Sequence, residues 1–264
     1  MPIFDATYIP KSAMTIFAHP DDAEFGVSGT LAKWARAGCE ITMVMCTSGN
    51  VGTHDPKYTR ETLAETRTKE QAAAADRLGV KNVVFLGHDD CQLEPTVELR
   101  RELVREIRKY KPEVVISGQP DGWFFGRDYI NHPDHRAAAV AALEAVFPCA
   151  EMELLWPEEG AAHKVRAVYV TLTDRADTWI DVTDTLDAKI ESLKAHQSQM
   201  ENWDPSDMIR EWASGAAKDA RKHMKKNKKQ SGKKQDGKKQ KTKLKYTEAF
   251  RVMVLQEEEK PPES

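Results

Sequence analysis

Short apolar runs alternate with helix-forming segments along the first two thirds of the chain. The runs are apolar at nearly every position rather than at every second one, which is typical of parallel strands covered on both faces. Right-handed crossovers between such strands wind helices onto both faces of one sheet. We therefore predict an α/β fold, a Rossmann-like, doubly wound and mostly parallel sheet in a single domain. The predicted strands are residues 13–18, 40–46, 82–86, 113–117, 165–171 and a last strand from 246, and the predicted helices are 24–38, 60–78, 96–110, 184–198 and one from about 133.

A lysine-rich segment interrupts this pattern near the C-terminus. Between Lys218 and Lys245 the chain carries 14 Lys or Arg and two acidic residues, a local charge of +12, so the net charge of −3 leaves −15 for the remainder. Such a segment buries too little apolar surface to offset the entropy lost on ordering. A solvated loop is favoured over binding of nucleic acid or another polyanion by 218–245, because no aromatic residues are interleaved to stack on bases. We predict a globular domain of 1–213 and 246–256, a flexible insertion at 214–245 and a disordered tail at 257–264.

The sequence lacks signals for a membrane or a secretory route. No apolar run reaches the roughly 18 to 20 residues that cross a bilayer, and the first residues lack the pattern of a secretory signal. We therefore expect a cytoplasmic protein without membrane contact. None of the four cysteines forms a CxxC pair, which indicates isolated reduced thiols rather than a disulfide framework or a structural zinc site.

One unusual tripeptide, His-Pro-Asp, occurs twice, each time after a predicted strand. Residues 19–22 are His-Pro-Asp-Asp and residues 132–135 are His-Pro-Asp-His. In a sheet of order 3-2-1-4-5 the first and fourth strands are neighbours, and ligands bind where their connections diverge. The two motifs would then meet in one crevice. The alternative is that each motif is only a helix N-terminus, where Asp caps and Pro occupies the first turn; the repetition of the motif disfavours it.

The residue types in these motifs suit a catalytic metal. Two histidines and one carboxylate form a three-ligand site that keeps one position for water. Within the first motif His19 and Asp22 can point the same way while Asp21 stays free. A metal lowers the pKa of its water to about 7. Asp21 remains as a general base, and His132 remains to protonate the leaving amine or hold the oxyanion. These residues predict metal-assisted amide hydrolysis with Zn2+, although two histidines and one carboxylate also suit Fe2+, Co2+ or Ni2+.

The chain resembles the PIG-L / LmbE family of zinc deacetylases from about residue 13 to 200 and again at YTEAFR. The resemblance rests on AHPDDAEFGVSGTLA, TSGN, ETRTKEQAAAADRLGV, FLGHDD, HPDHRAA and AHQSQ. It implies a Rossmann-like fold, an N-acetylglucosamine-type substrate and a homo-oligomer. Family members act on N-acetylglucosamine, chitobiose and the inositol and malate glycosides of N-acetylglucosamine.

The same resemblance implies a role for each motif residue. His19, Asp22 and His135 match the zinc ligands, and Asp21 matches the general base. His132 matches the residue that protonates the leaving group or stabilises the tetrahedral intermediate. Asp134 is expected to orient and tune His132.

Substrate-binding residues are less sharply defined. Arg67 matches an arginine that contacts the substrate. Asp90 matches an aspartate that holds sugar hydroxyls, but Cys91 replaces the glycine that usually follows it, so the match could instead fall on Asp89. Asn50 is expected to line the pocket, with an ordinary polar loop as the alternative. The roles of His54, His88 and His196 stay open.

The leading hypothesis is a zinc-dependent N-deacetylase of an amino sugar. The alternatives are an amidase with the same mechanism on a non-sugar or thiol-conjugate amide, and a polyanion-binding protein that uses 218–245. The chain has no GxSxG elbow and no GxGxxG fingerprint after the first strand, which disfavours a serine hydrolase and a dinucleotide-binding enzyme.

Overall fold

A sheet of seven strands forms the centre of the part of the chain that the computed structural model describes, residues 6–201, 203–231 and 244–256. A separate two-stranded hairpin, β5–β6, lies outside it. In chain order the strands are β1 (Ser12–Phe17), β2 (Glu40–Thr47), β3 (Asn82–His88), β4 (Val114–Ser117), β5 (Phe124–Phe125), β6 (Tyr129–Ile130), β7 (Ala167–Val170), β8 (Thr178–Asp181) and β9 (Thr247–Val254).

The strand order is β3-β2-β1-β4-β7-β9-β8. The first five strands of this order run parallel, and β9 runs antiparallel between β7 and β8. The predicted mostly parallel sheet and the neighbouring positions of β1 and β4 are therefore confirmed. The edge strand β8 was not predicted, because its four residues mix polar and apolar side chains and give too short a pattern.

Helices cover both faces of the sheet, as the doubly wound prediction requires. Two predicted helices are each divided in two: 24–38 at Val27, where the backbone leaves helical geometry (φ −139°, ψ 3°), and 184–198 before His196. The helices are α1 (Asp22–Gly26), α2 (Ser28–Arg36), α3 (Arg60–Leu78), α4 (Val97–Tyr110), α5 (Pro133–Val146), α6 (Leu186–Leu193), α7 (Gln197–Met200) and α8 (Ser206–Ser231).

Alternate residues of the central strands supply two separate hydrophobic cores. On β1, Met14 and Ile16 pack against α4 and α5, whereas Ala13 and Phe17 pack on the opposite face against α2 and α3. This two-residue alternation is what the pleat of a strand imposes. No helix among the described residues is long and apolar enough to cross a membrane.

Helix α8 continues to Ser231 and therefore extends into the first part of the predicted flexible insertion at 214–245; the flexibility of that segment stays a prediction. Ala213, Ala217 and Ala220 are buried at helical spacing, and these small side chains let the helix pack closely on β8 and β9. The sequence did not reveal this row of buried alanines, because lysines dominate the composition of the segment. Residues 232–243 and the predicted tail 257–264 lie outside the described residues.

A buried ion pair joins α6, α2 and β9. The ammonium group of Lys189 lies 2.7 Å from the carboxylate of Glu248, and both side chains are 4 % exposed. The same carboxylate accepts hydrogen bonds from the backbone N–H groups of Gly29 (3.0 Å) and Thr30 (2.7 Å) at the start of α2. Three elements distant in sequence are thereby fixed to one another.

We expect Lys189→Met to lower the free energy of unfolding by about 3–5 kcal/mol, because it leaves a buried carboxylate without its counter-charge. Denaturant unfolding would measure the effect. As a matched control, Lys222→Met removes the exposed Lys222–Asp219 pair and should change stability little. Equal effects of both substitutions would contradict the stabilising role of the buried pair.

Candidate metal centre

The two His-Pro-Asp motifs meet at the carboxyl end of the sheet, as predicted. His19 follows β1, and His132 is the N-cap residue of α5, with Pro133 at the first helical position. The imidazole centroids of His19 lie 4.8 Å from His132 and 5.1 Å from His135, and those of His132 and His135 are 5.3 Å apart. Three imidazoles from segments more than 110 residues apart therefore share one crevice.

The carboxylate of Asp22 lies between two of these rings. Its Oδ1 is 3.0 Å from Nε2 of His135, and its Oδ2 is 3.6 Å from Nδ1 of His19. The backbone N–H of His19 also donates to Oδ2 (2.9 Å). Burial raises the pKa of Asp22, but His135 and His19 outweigh it and hold this pKa well below its usual value. The predicted ligands His19, Asp22 and His135 are thus in mutual contact.

Asn131, which sequence reasoning missed, orients His135. Its side-chain Oδ1 lies 3.0 Å from Nδ1 of His135, and its Nδ2 donates to the carbonyl of Gly122 (2.8 Å). The second bond fixes the orientation of the amide, so Nδ1 of His135 carries the proton and donates it to Asn131. The Nε2 lone pair then faces Asp22, as a metal ligand requires. The position of Asn131 four residues before His135 was the available signal.

Two further carboxylates hold the other nitrogen of His19. Its Nε2 lies 3.0 Å from Asp90 and 3.3 Å from Asp134. Asp134 is fully buried and also accepts from the backbone N–H groups of Cys91 (2.7 Å) and Leu93 (3.3 Å). The predicted partner of Asp134 was His132, but its carboxylate lies closer to His19 than to His132, at 3.9 Å.

His132 contacts the backbone through one nitrogen and faces the crevice with the other. Its Nδ1 accepts from the backbone N–H of Asp134 (3.2 Å), so Nε2 carries the proton in the neutral ring. That nitrogen lies 3.5 Å from the sulfur of Cys91 and 4.0 Å from Asp90. Burial and the neighbouring charge of His19 lower the pKa of His132. A neutral ring with an N–H directed into the crevice can donate a hydrogen bond or a proton.

The donor atoms are close enough to hold a divalent cation. Within the described residues, ligand atoms of His19, His132 and His135 all lie within 4.8 Å of one another, and so do those of His19, Asp90, His132 and Asp134. Imidazole and carboxylate are the donors preferred by zinc and other first-row divalent metals. The cluster therefore fits a metal, with His19 common to each arrangement.

Asp21 has a carboxylate that does not serve as a helix cap. It precedes α1 in a left-handed conformation (φ 91°) and makes no side-chain capping bond. Burial raises its pKa to about 6, while Arg67 opposes this shift. Nη2 of Arg67 donates to the Asp21 carboxylate (3.2 Å) and to the carbonyl of Pro20 (2.6 Å).

Arg67 is 3 % exposed, and its contacts are with the protein. Its Nη1 donates to the carbonyl of Gly49 (3.0 Å), which has φ +65°. A Cβ at that glycine would lie 2.1 Å from Nη1 of the arginine, so glycine is required there. In the structure the guanidinium contacts Gly49, Pro20 and Asp21, and the contact of Arg67 with substrate stays a prediction.

Asn50 joins the loops that follow β2 and β3. Its Nδ2 donates to Asp89 (2.7 Å), and its Oδ1 accepts from the backbone N–H of Asp90 (3.1 Å). The Asp89 side chain is 51 % exposed, whereas that of Asp90 is 5 % exposed. Of the two aspartates, Asp89 is the one open to solvent.

The three histidines whose roles the sequence leaves open lie outside the cluster of ligand atoms. His88 faces α4, where its Nε2 lies 2.7 Å from Glu102, and His54 is exposed on the loop after β2. His196 is fully buried and lies 3.5 Å from Glu24. None of the three supplies a donor to the groups of ligand atoms found among the described residues.

An exposed aromatic hairpin, β5–β6 with the preceding Trp123, lies directly before the second motif. Phe124 and Ile130 are 73 % and 71 % exposed. The guanidinium of Arg136 stacks over the Trp123 ring at 3.7 Å, and the backbone N–H of Asn131 donates to the Trp123 carbonyl (2.8 Å). The base of the hairpin is thereby tied to the residues that orient the metal centre.

The comparisons with known proteins agree with this geometry. The model of the PIG-L family, described as GlcNAc-PI de-N-acetylase, matches residues 14–146. The chain is 32 % identical over 203 residues, 74 % of each chain, to the diacetylchitobiose deacetylase of Thermococcus kodakarensis. The solved structure of the N,N'-diacetylchitobiose deacetylase from Pyrococcus horikoshii matches with a TM-score of 0.76 and 26 % identity, covering 95 % of this chain and 88 % of that one.

The fold is also similar to that of a protein with a different named reaction. The structure of GalB, the 4-carboxy-2-hydroxymuconate hydratase from Pseudomonas putida, matches with a TM-score of 0.73 and 22 % identity, covering 95 % of this chain and 99 % of that one. At this identity the likeness concerns the fold alone. A shared fold does not determine the reaction, which has to be argued from the site.

Asn131→Leu should weaken binding of a divalent cation by roughly 10- to 100-fold, because His135 loses the acceptor that fixes its proton and ring orientation. Calorimetric titration of the metal-stripped protein with Zn2+ would measure this. Asn131→Asp keeps the acceptor but loses the donor to Gly122, and it should retain most of the affinity. An equal loss of metal affinity in both variants would show that the bond of Asn131 to Gly122, rather than its bond to His135, determines metal binding.

Proposed function

Because this chain belongs to the PIG-L family, we propose that it hydrolyses the N-acetyl group of an N-acetylglucosamine-type amino sugar with zinc as its cofactor. The relatives at 32 % and 26 % identity are deacetylases of an N-acetylated sugar. The observation that carries the proposal is the Asp21 carboxylate, which caps no helix and pairs with Arg67, beside a buried cluster of imidazoles and carboxylates. That combination is what metal-assisted amide hydrolysis needs.

The proposed metal ligands are His19, Asp22 and His135. Their support is the Asp22 carboxylate between the two rings and the Asn131 bond that frees Nε2 of His135. A divalent cation held there supplies a Lewis acid and lowers the pKa of bound water to about 7. Zinc is preferred for a two-histidine, one-carboxylate set, while Fe2+, Co2+ and Ni2+ suit the same donors.

Asp21 is the proposed general base. Arg67 donates to Oδ2 of the Asp21 carboxylate at 3.2 Å, and Oδ1 is the atom assigned to receive the proton of the attacking water. His132 is the proposed partner on the other side, since its Nε2–H can stabilise the oxyanion of the tetrahedral intermediate or protonate the leaving amine. Asp134 then has a supporting role: its carboxylate lies 3.3 Å from Nε2 of His19, and its backbone N–H donates to Nδ1 of His132 at the start of α5.

Sugar recognition is proposed for the loops above the crevice. Asp89, which is half exposed and bonded to Asn50, is better placed than the buried Asp90 to accept hydrogen bonds from sugar hydroxyls. Asp90 instead supports His19. The role of Arg67 in substrate binding is then indirect, through Asp21. Homo-oligomer formation and a cytoplasmic location stay predictions, and polyanion binding by 218–245 stays the disfavoured alternative.

Acetate release from a panel of N-acetylglucosamine compounds, the free sugar, chitobiose and the inositol and malate glycosides, should be detectable and should stop with a chelator. The metal content of the purified protein would be measured on the same sample. Restoration by Zn2+ would support zinc as the cofactor. A folded, metal-loaded sample that releases no acetate from any compound would overturn the amino-sugar proposal.

Asp21→Asn should lower kcat by about 100- to 10,000-fold while retaining one bound metal, because it removes only the proton acceptor. Asp22→Asn should instead lose the metal. His132→Ala separates the possible ligand sets, since it should retain the metal if His132 acts on the substrate. Activity of Asp21→Asn near that of the unmodified protein would eliminate the base assignment.

A further inference from the structure

A continuous path of buried polar groups leads from Asp21 into the interior. The backbone N–H of Asp21 donates to Oε1 of Gln71 (3.2 Å), and Nε2 of Gln71 donates to Oε1 of Glu24 (2.9 Å). The other oxygen of Glu24 lies 3.5 Å from Nε2 of His196. Glu24, Gln71 and His196 have no solvent-exposed surface. The path thus joins α1, α3 and the α6–α7 junction behind the proposed base.

This arrangement is costly for stability. Burial of an ionisable pair requires strong compensation from hydrogen bonds, and here the compensation is incomplete. Among the described residues, no group makes a hydrogen bond to either ring nitrogen of His196 or to Oε2 of Glu24. Apolar residues of similar volume would be no less stable at these positions. The polar path therefore indicates a role other than stabilising the fold.

The path has a fixed direction. The NH2 group of Gln71 donates to Oε1 of Glu24, so the side-chain oxygen of Gln71 faces Asp21, where it accepts the backbone N–H. His196 lies on the far side of Glu24, with its Nε2 3.5 Å from Oε2. Burial lowers the pKa of His196, but the neighbouring Glu24 carboxyl raises it by more.

Asp21 needs this support because its backbone is strained. A left-handed conformation is unfavourable for a residue with a side chain and persists only where the surroundings impose it. At φ 91° the Asp21 carboxylate turns away from the start of α1 and toward Arg67. A relaxed backbone would allow the carboxylate to cap the helix instead.

A second anchor places His196 at the end of this path. The backbone N–H and the hydroxyl of Ser198 both bond to the carboxylate of Glu70, each at 2.7 Å. Glu70 and Gln71 are neighbours on α3, so the segment AHQSQ is held on α3 beside the residue that contacts Asp21.

We infer that His196 and Glu24, acting through Gln71, are positioning residues that hold Asp21 in its left-handed conformation with its carboxylate toward the metal centre. The inference rests on the proposed function only for the role of Asp21 as base. It assigns to His196 no contact with substrate or metal.

The test is a double-mutant cycle with His196→Gln and Asp21→Asn. His196→Gln alone should lower kcat by about 10- to 100-fold through misplacement of the base, with KM and metal content unchanged. In the Asp21→Asn background the same substitution should cost nothing further, because the residue it positions is already inactive. An equal loss in both backgrounds would overturn the inference, since a structural defect acts with or without the base.

Two further variants separate positioning from loss of stability. Gln71→Met has similar length but cannot accept from Asp21, and it should reproduce the kinetic effect if His196→Gln folds poorly. Ile107→Ala removes a fully buried side chain near the C-terminus of α4, at the opposite end of the sheet from the path; it should lower the melting temperature but leave kcat unchanged. A parallel fall of kcat in Ile107→Ala would overturn the positioning role.

A crystal structure of His196→Gln tests the inference without any substrate. The Asp21 φ should leave the left-handed region and its bond to Gln71 should break. An unchanged Asp21 would overturn the inference even if acetate release is observed. Absence of acetate release from the unmodified protein would contradict the proposed function, while a displaced Asp21 in that case would still support the positioning path.

Discussion

The pairing of β1 with β4 is the contact on which the site depends. These strands run parallel with Ala13 opposite Val114 and Ile16 opposite Ser117, and the Ser117 hydroxyl donates to the carbonyl of Ile16 (2.8 Å) at the carboxyl end. Adjacent strands are about 4.8 Å apart, so an intervening strand would separate the two motifs by a further 5 Å. Only direct pairing lets Asp22 reach His135.

The site concentrates carboxylates where little water can screen them, and three of the four contact the same imidazole. Asp22, Asp90 and Asp134 all lie within 3.6 Å of a ring nitrogen of His19, whereas Asp21 contacts Arg67. His19 keeps the pKa of the Asp90 carboxyl low despite burial. His19 is therefore the group that holds most of the carboxylates together in one crevice.

Local sequence signals defined the elements, and long-range contacts defined what the side chains do. Helix α3 has the predicted bounds because Gly79 ends a run of strong helix formers. The helical part of 214–245 was missed because its buried alanines are recognisable only against β8 and β9. Likewise the motif residues meet as predicted, but the contact of Arg67 with Asp21, the bond of Asn131 to His135 and the burial of His196 depend on partners that no local pattern specifies.

Chemistry and substrate choice are separated in space. The residues proposed for the reaction lie at strand ends and helix starts, where backbone hydrogen bonds fix them, and their shared fold also occurs in a protein named as a hydratase. The groups that face solvent, Asp89 and the aromatic hairpin with its 73 % exposed Phe124, lie on loops. The base of the hairpin is bonded to Asn131, and the loop after β3 carries Asp90, which contacts His19. Only the exposed side chains of these segments, such as Asp89 and Phe124, can therefore vary without disturbing the metal centre.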